Sequence, residues 1–169
     1  GVYGQRQDGV HMMRSKLPLG LMGAEQLEAF ADVAETFGNG VAHLTTRQDI
    51  QVHFIQLEQS PQVMRVLDGA EMTSREACGN VVRNVVGSPV AGVSPTEAFD
   101  ITTPGIELSR FLLRHPDGMS LGRKFKIAFA GCPDPTWNLG AFHDLGFTAV
   151  LRGGARAYGV RGGRGLGAT

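Results

Sequence analysis

The sequence predicts an α+β fold, and three observations carry that prediction. Residues 1–69 read as strand, helix, strand, strand, helix; residues 70–169 read as helices followed by strands joined through a long loop; and no fixed residue period recurs that would signal a repeat architecture. The expected domain boundary falls near Gly69, giving one small α+β unit over residues 1–69 and a second over residues 70–169.

Each element has its own local reason. Residues 10–18 alternate between two faces, Val10, Met12, Arg14 and Lys16 on one and His11, Met13, Ser15 and Leu17 on the other, and Pro18 and Gly20 end the strand. Residues 24–37 place Leu27, Phe30, Ala31, Ala34 and Phe37 three and four apart, which predicts an amphipathic helix stopped by Gly38. Residues 41–44 and 49–55 read as strands. Ser60 and Pro61 then predict a helix with Ser60 as N-cap and an apolar stripe of Val63, Val66 and Leu67. In the second unit Ser94 and Pro95 predict another capped helix. Residues 105–115 predict a longer one, buried through Ile106, Leu108, Phe111 and Leu112 and ended by Pro116. Residues 124–130 and 147–151 are strand-like, and Trp137, in the loop between them, reads as packing.

Composition sets limits on function. The chain has 169 residues, 42% hydrophobic and 19% charged, with 16 Lys and Arg balanced by 16 Asp and Glu. That balance argues against nucleic-acid or membrane-surface partners, which favour net basic surfaces. With no run of 18 apolar residues and no signal peptide in the sequence, a soluble cytoplasmic location is the expectation. Any cationic site must therefore be local. Two cysteines, Cys78 and Cys132, stand in no metal-ligand spacing and read as buried structural thiols. The 24 glycines concentrate near the end, in RGGARAYGVRGGRGLGAT, which reads as a flexible tail. The opening GVYGQRQDGVHMM lacks an initiator Met and runs straight into a strand-like segment, so the chain is expected to be cut from something longer.

The stretch HLTTRQDIQVHF carries the strongest local pattern. As a strand it sets Thr45, Arg47, Asp49, Gln51 and His53 on one polar face and Ile50, Val52 and Phe54 on the other, core-facing one. Further cations sit in ordered-looking segments: Arg14, Arg83 in ACGNVVRNVVGSP, and Lys124 with Lys126 in GRKFKIAFAG, where a strand would turn both ammonium groups to the same side. Such cations suit an oxyanion or a polycarboxylate, because guanidinium binds carboxylates as a fork and Lys supplies a point charge. The plainer reading of each is a solvated strand face.

Four motifs, GVYGQRQDGVHMMRSKLPLG, HLTTRQDIQVHF, ACGNVVRNVVGSPVAG and GRKFKIAFAGC, in this order, resemble the N-terminal half of the sirohaem-dependent nitrite and sulfite reductases. The resemblance implies a ferredoxin-like half domain followed by an incomplete α+β sirohaem-binding domain. It implies that Thr45, Thr46, Arg47, Gln51 and His53 meet the carboxylates and ring edge of sirohaem, with His43 where relatives carry another basic residue. It implies that Arg14, Arg83, Lys124 and Lys126 are the cations of the substrate-anion pocket, serving the six-electron reduction of sulfite to sulfide or nitrite to ammonia. Lys126 and His53 together tilt this implied substrate towards sulfite.

The family's [4Fe-4S] cluster is held by later cysteine pairs that this sequence lacks, so the resemblance assigns no cluster ligand here and implies that the piece alone does not turn over. Ferredoxin or a flavoprotein would be the electron donor. GGRGLGAT resembles the family's GGGLG loop, with Arg164 replacing a Gly. His143 and Asp144 read as structural or capping residues. Two alternatives stay open: a tetrapyrrole enzyme resembling precorrin-3B synthase, and a non-catalytic binding module.

Overall fold

The computed structural model describes residues 1–163, and the chain divides into two units, Gly1–Gly79 and Asn80–Thr169. The first unit contains β1 (Val2–Gly4), β2 (Val10–Ser15), α1 (Ala24–Phe37), β3 (Ala42–Leu44), β4 (Ile50–Gln56) and α2 (Ser60–Gly69). Its sheet has the order β1-β2-β4-β3, with every neighbouring pair antiparallel. β2 and β3 flank β4, so the crossover through α1 makes a split β-α-β arrangement, the pattern of a ferredoxin-like fold.

The helices bury one face of this sheet. Phe30 and Val33 of α1 and Val63 and Leu67 of α2 pack on Met13, Ile50, Val52 and Ile55. Each of these fully buried aliphatic or aromatic side chains contributes about 1.5–3 kcal/mol. The predicted stripe of α1 is rotated in the structure: Ala29 and Val33 are buried, whereas Leu27 is 55% exposed. The cap of α2 also differs, because a 3-10 turn over Leu57–Gln59 leads into the helix and Ser60 makes no capping bond. With the chain already helical before Ser60, no free first-turn N–H is left for its hydroxyl to take.

Phe54 corrects the strand reading. His11 pairs with Ile55 and Met13 with Val52, so Met12 faces two residues of β4, His53 and Phe54. This is a β-bulge, with Phe54 in the left-handed region at φ 67 and its N–H donating to Gln5 Oε1 at 3.0 Å. The extra residue shifts the alternation by one, so Ile55 is fully buried while Phe54 is 37% exposed.

The second unit contains β5 (Val82–Gly87), α3 (Thr102–Leu112), β6 (Phe125–Ala130), β7 (Leu145–Arg152) and β8 (Ala155–Gly162). Its sheet runs β5-β6-β7-β8, with β5, β6 and β7 parallel and β8 antiparallel to β7. All six residues of β5 are buried, as a parallel strand requires. α3 buries Gly105 and Ser109 rather than the predicted stripe, and Phe111 is 66% exposed: small side chains bring this helix close to β5. Residues 94–99 form turns instead of a helix, with Ser94 Oγ bonded to Thr96 Oγ1 at 3.1 Å. Trp137 is 41% exposed, so it is not a core residue.

The glycine-rich end is ordered at least through Gly163. Gly153 and Gly154, at φ 57 and 82, make the two-residue turn with positive φ at both positions that suits a tight hairpin, and β8 pairs with β7 over its whole length. Phe129 and Phe147 stack at 4.7 Å between ring centres, and Tyr158 of β8 meets both edge-on, which ties β6, β7 and β8 together. Burial and the nearby Asp100 carboxylate raise the Tyr158 phenol above its ordinary value. Among the described residues, no helix is long and apolar enough to cross a membrane.

Candidate functional site

In the first unit the site is a row across three strands. β2, β4 and β3 place Arg14, Gln51 and His43 side by side, since Gln51 is the register partner of both others. Gln51 Oε1 accepts from Arg14 Nε at 3.0 Å and also from Nη2. Arg14 Nη1 donates to the Ala77 carbonyl at 3.2 Å and to Cys78 Sγ at 3.6 Å. Cys78 is therefore half-buried beside a guanidinium, unlike the inert buried thiol read from sequence; Cys132 is buried, and both thiols are free.

His53 lies two residues along β4, its ring edge-on to that of His43 with centroids 6.4 Å apart. Its pKa is lowered from the ordinary value, first by partial burial and then by the charges of His43 and Arg14. A neutral imidazole beside an arginine marks a locally positive field, one that an anion would relieve.

Residues 45–49 are a hairpin turn, not part of the strand. Thr45 Oγ1 accepts from the backbone N–H of Arg47 and of Asp49, both at 3.2 Å, and so shapes the turn, leaving its own O–H to donate. Thr46 is exposed at the tip, and Arg47 is half-buried. Asp49 is 2% exposed, so it does not share an open polar face with Gln51 and His53. Strand alternation applies to Gln51 and His53 alone, because the turn breaks it before residue 50.

In the second unit, Arg83 sits in buried β5 and is 8% exposed. Lys124 precedes β6 and is exposed, whereas Lys126 lies within β6 and is half-buried, so the two ammonium groups have different surroundings. The Lys126 N–H donates to Asp144 Oδ2 at 2.8 Å, and His143, 3% exposed, bonds the Leu139 carbonyl through Nδ1 at 2.6 Å. Both of these contacts are with backbone. Arg164 lies outside the described residues.

One cavity was not legible in the sequence. It measures about 220 Å³ and is walled by Gly140, Gly146 and Gly159 together with Asn138, Thr148 and Arg161. Gly146 is required there, because a Cβ would approach Gly140 Cα to 2.7 Å. None of the sequence-predicted site residues lines it. Of its glycines, Gly159 was read as part of a flexible tail and Gly140 and Gly146 fell in the loop between two strands, so nothing in the string marked a shared wall.

The implied cofactors fit unequally. The Arg14–Gln51–His43 row, with His53, presents N–H groups and positive charge suited to a polycarboxylate such as sirohaem. A [4Fe-4S] cluster needs four thiolates, and the sequence has two cysteines; among the described residues no group of three or more His, Cys, Asp or Glu could hold a metal ion. The chain by itself does not fit the cluster.

The sequence matches the Nitrite/Sulfite reductase ferredoxin-like half domain over residues 3–70 and the Nitrite and sulphite reductase 4Fe-4S domain over residues 78–169. It is 37% identical over 145 residues to an assimilatory ferredoxin-dependent nitrite reductase of Haloferax mediterranei, covering 78% of this chain and 25% of the relative. It is 35% identical over 139 residues to sulfite reductase [ferredoxin] 2 of Mycolicibacterium paratuberculosis, covering 82% and 24%. The solved structure of the NirA protein of Mycobacterium tuberculosis superposes with a TM-score of 0.88 at 30% identity, over 98% of this chain and 33% of that one. The chain thus spans a quarter to a third of the length of these relatives, and it belongs to the nitrite and sulfite reductase family.

Proposed function

We propose that the chain supplies the N-terminal portion of an assimilatory-type sirohaem reductase, which reduces sulfite to sulfide or nitrite to ammonia with electrons from ferredoxin or a flavoprotein. The observation that carries this reading is the donor row Arg14–Gln51–His43 on the first unit's sheet, with His53 held neutral beside it. The names of the relatives support both anions, and a ferredoxin donor, at comparable identity. Sulfite is the favoured substrate here, on Lys126 and His53.

In this reading Thr45, Thr46, Arg47, Gln51 and His53 bind the carboxylates of sirohaem. The Thr45 hydroxyl already holds the turn with its oxygen and keeps its proton to donate, and Arg47 rides on the same turn. When bound, sirohaem supplies electron delivery to the substrate anion at its iron. Arg14, Arg83, Lys124 and Lys126 are the cations that lower the cost of holding a sulfite or nitrite anion and that donate protons during its reduction. Bound carboxylate would raise the pKa of His53 from its lowered position, so binding favours a proton on that ring.

Titration of the chain with sirohaem tests the reading by absorption and by proton uptake. Saturable binding that weakens in Arg47→Ala and His53→Ala is expected. No saturable binding by the wild-type chain, or binding unchanged in both variants, overturns the cofactor assignment. In the complete reductase, a kcat/KM for nitrite above that for sulfite would overturn the substrate preference.

A further inference from the structure

We propose that Gln51 is the positioning residue of Arg14, so that Arg14 addresses the anion through a single N–H rather than as a fork. This rests on the anion-binding part assigned to Arg14 under the proposed function and sharpens it. A guanidinium carries five N–H bonds. In Arg14, Nε and one N–H of Nη2 go to Gln51 Oε1, and the two of Nη1 go to the Ala77 carbonyl and Cys78 Sγ. One N–H of Nη2 is left, among the described residues.

The contacts form a chain of constraint. The Cys78 thiol accepts from Arg14 and donates its own S–H to the Gly1 carbonyl at 3.8 Å, while the Arg14 backbone N–H donates to that same carbonyl at 3.0 Å. The guanidinium is thus held on both edges. Gln51 is fixed in return. With its oxygen committed to Arg14, the amide can offer only the two N–H bonds of Nε2, which have no partner among the described residues. Everything the pair still presents is a donor, so the pair selects acceptor-only ligands such as oxyanions and carboxylates and disfavours neutral ligands that bring donors of their own.

The sequence pattern suggested a bidentate arginine; the structure assigns the fork to Gln51 and leaves a point contact for the ligand. An orienting side chain of this kind fixes direction, and direction matters most for a small anion with few oxygens.

Side-chain NMR of the arginines in this 18.0 kDa chain tests the proposal, with Gln51→Met removing the acceptor at similar size. In the wild type, the Arg14 Nε–H should exchange slowly with water and its Nη protons should be resolved; in Gln51→Met the exchange should rise at least about tenfold and the Nη signals should average. Arg14 exchange that is fast in the wild type, or unchanged in Gln51→Met, overturns the proposal. Should Gln51→Met fail to fold, Cys78→Ala gives a second reading: it should average Nη1 and leave Nε protected, and unchanged Nη1 protection overturns the proposal.

In the complete reductase, Gln51→Met should raise the KM for sulfite on the order of tenfold with a smaller change in kcat. Arg14→Gln separates the two ideas. If Arg14→Gln raises KM and Gln51→Met does not, positioning by Gln51 fails while the anion-binding reading stands. If Gln51→Met frees the guanidinium and neither variant changes KM, the anion-binding part of Arg14 fails while the contact itself stands.

Discussion

Replacing Gly38 by Ala probes the junction between α1 and the site strand. Gly38 closes α1 at φ −104 and ψ −147, which any residue can adopt, so the demand for glycine there is steric. An added Cβ would lie 2.7 Å from Val52 Cγ1 and 3.0 Å from each of the carbonyl oxygens of Ala34 and His53. Carbon atoms prefer separations of about 3.5–4.0 Å, so the overlap on Val52 is close to 1 Å. Val52 is 1% exposed and β-branched, which leaves it nowhere to turn, and the two oxygens belong to backbone. The Ala34 carbonyl also accepts from Gly40 at 2.8 Å, so relief there loosens the last turn of α1.

Overpacking of this kind costs about 1–3 kcal/mol. Urea unfolding followed at amides of the first unit should show that loss with an unchanged m-value. Because the His53 carbonyl is one of the three contacts, the His53 ring resonances should shift as well. Val52→Ala in the Gly38→Ala background removes the worst contact, so the double variant should be less destabilised than the sum of the singles by about 0.5–1 kcal/mol. A Gly38→Ala chain within about 0.5 kcal/mol of wild type, combined with additive singles, would refute the steric argument.

Four further outcomes are expected. His53 binds its proton less tightly in the folded state than at its ordinary value of 6.5. Its contribution to stability is therefore present above that pH and lost as pH falls through the lowered pKa; the urea midpoint of the first unit should fall below about pH 6.5, less so in His53→Gln. Lys16 and Glu76 form a 3.8 Å ion pair with side chains 4% and 5% exposed, so Lys16→Met alone should cost about 3–5 kcal/mol by denaturation, and Lys16→Met with Glu76→Leu should recover part of it. Asp144→Ala should speed amide exchange at Lys126 and cost about 1–3 kcal/mol, and Asp144→Asn, which keeps an acceptor oxygen, should cost less. At the β7–β8 turn, Gly153→Asn should leave cross-strand nuclear Overhauser contacts intact, whereas Gly154→Val should lose them near the turn at a cost of about 1–2 kcal/mol.

Much of the first unit was legible because local rules decide it. The spacing of apolar residues with a glycine stop set both ends of α1, Ala24 and Phe37, as the structure has them. What sequence could not give was register. The polar face read from Thr45 onward joined a turn to a strand, since alternation in a string does not say where the backbone stops being extended. The bulge at Phe54 depends on Gln5, 49 residues away, accepting its N–H, and no local pattern announces such a partner. The fork between Arg14 and Gln51 has the same origin, because those residues meet only through strand pairing. In the second unit, glycines misled twice: the β7–β8 hairpin and the cavity wall use their bareness and positive φ, while a string of glycines reads as loose chain. The small residues facing β5 hid the buried side of α3 for the same reason, since closeness rather than bulk drives its packing.

The Gly1 carbonyl receives N–H and S–H bonds from Arg14 and Cys78, so residues 1 and 78 lie side by side at the ends of the first unit. Joining residue 79 to residue 1 and opening the chain in the exposed loop between Asp8 and Gly9 would place β1 after α2 and leave every strand where it is. The resulting order, strand, helix, two strands, helix, strand, is that of an ordinary ferredoxin-like domain. The first unit is thus a circular permutation of that fold, and the permuted chain should fold with the donor row of β2, β4 and β3 unbroken, since the cut passes through none of its strands.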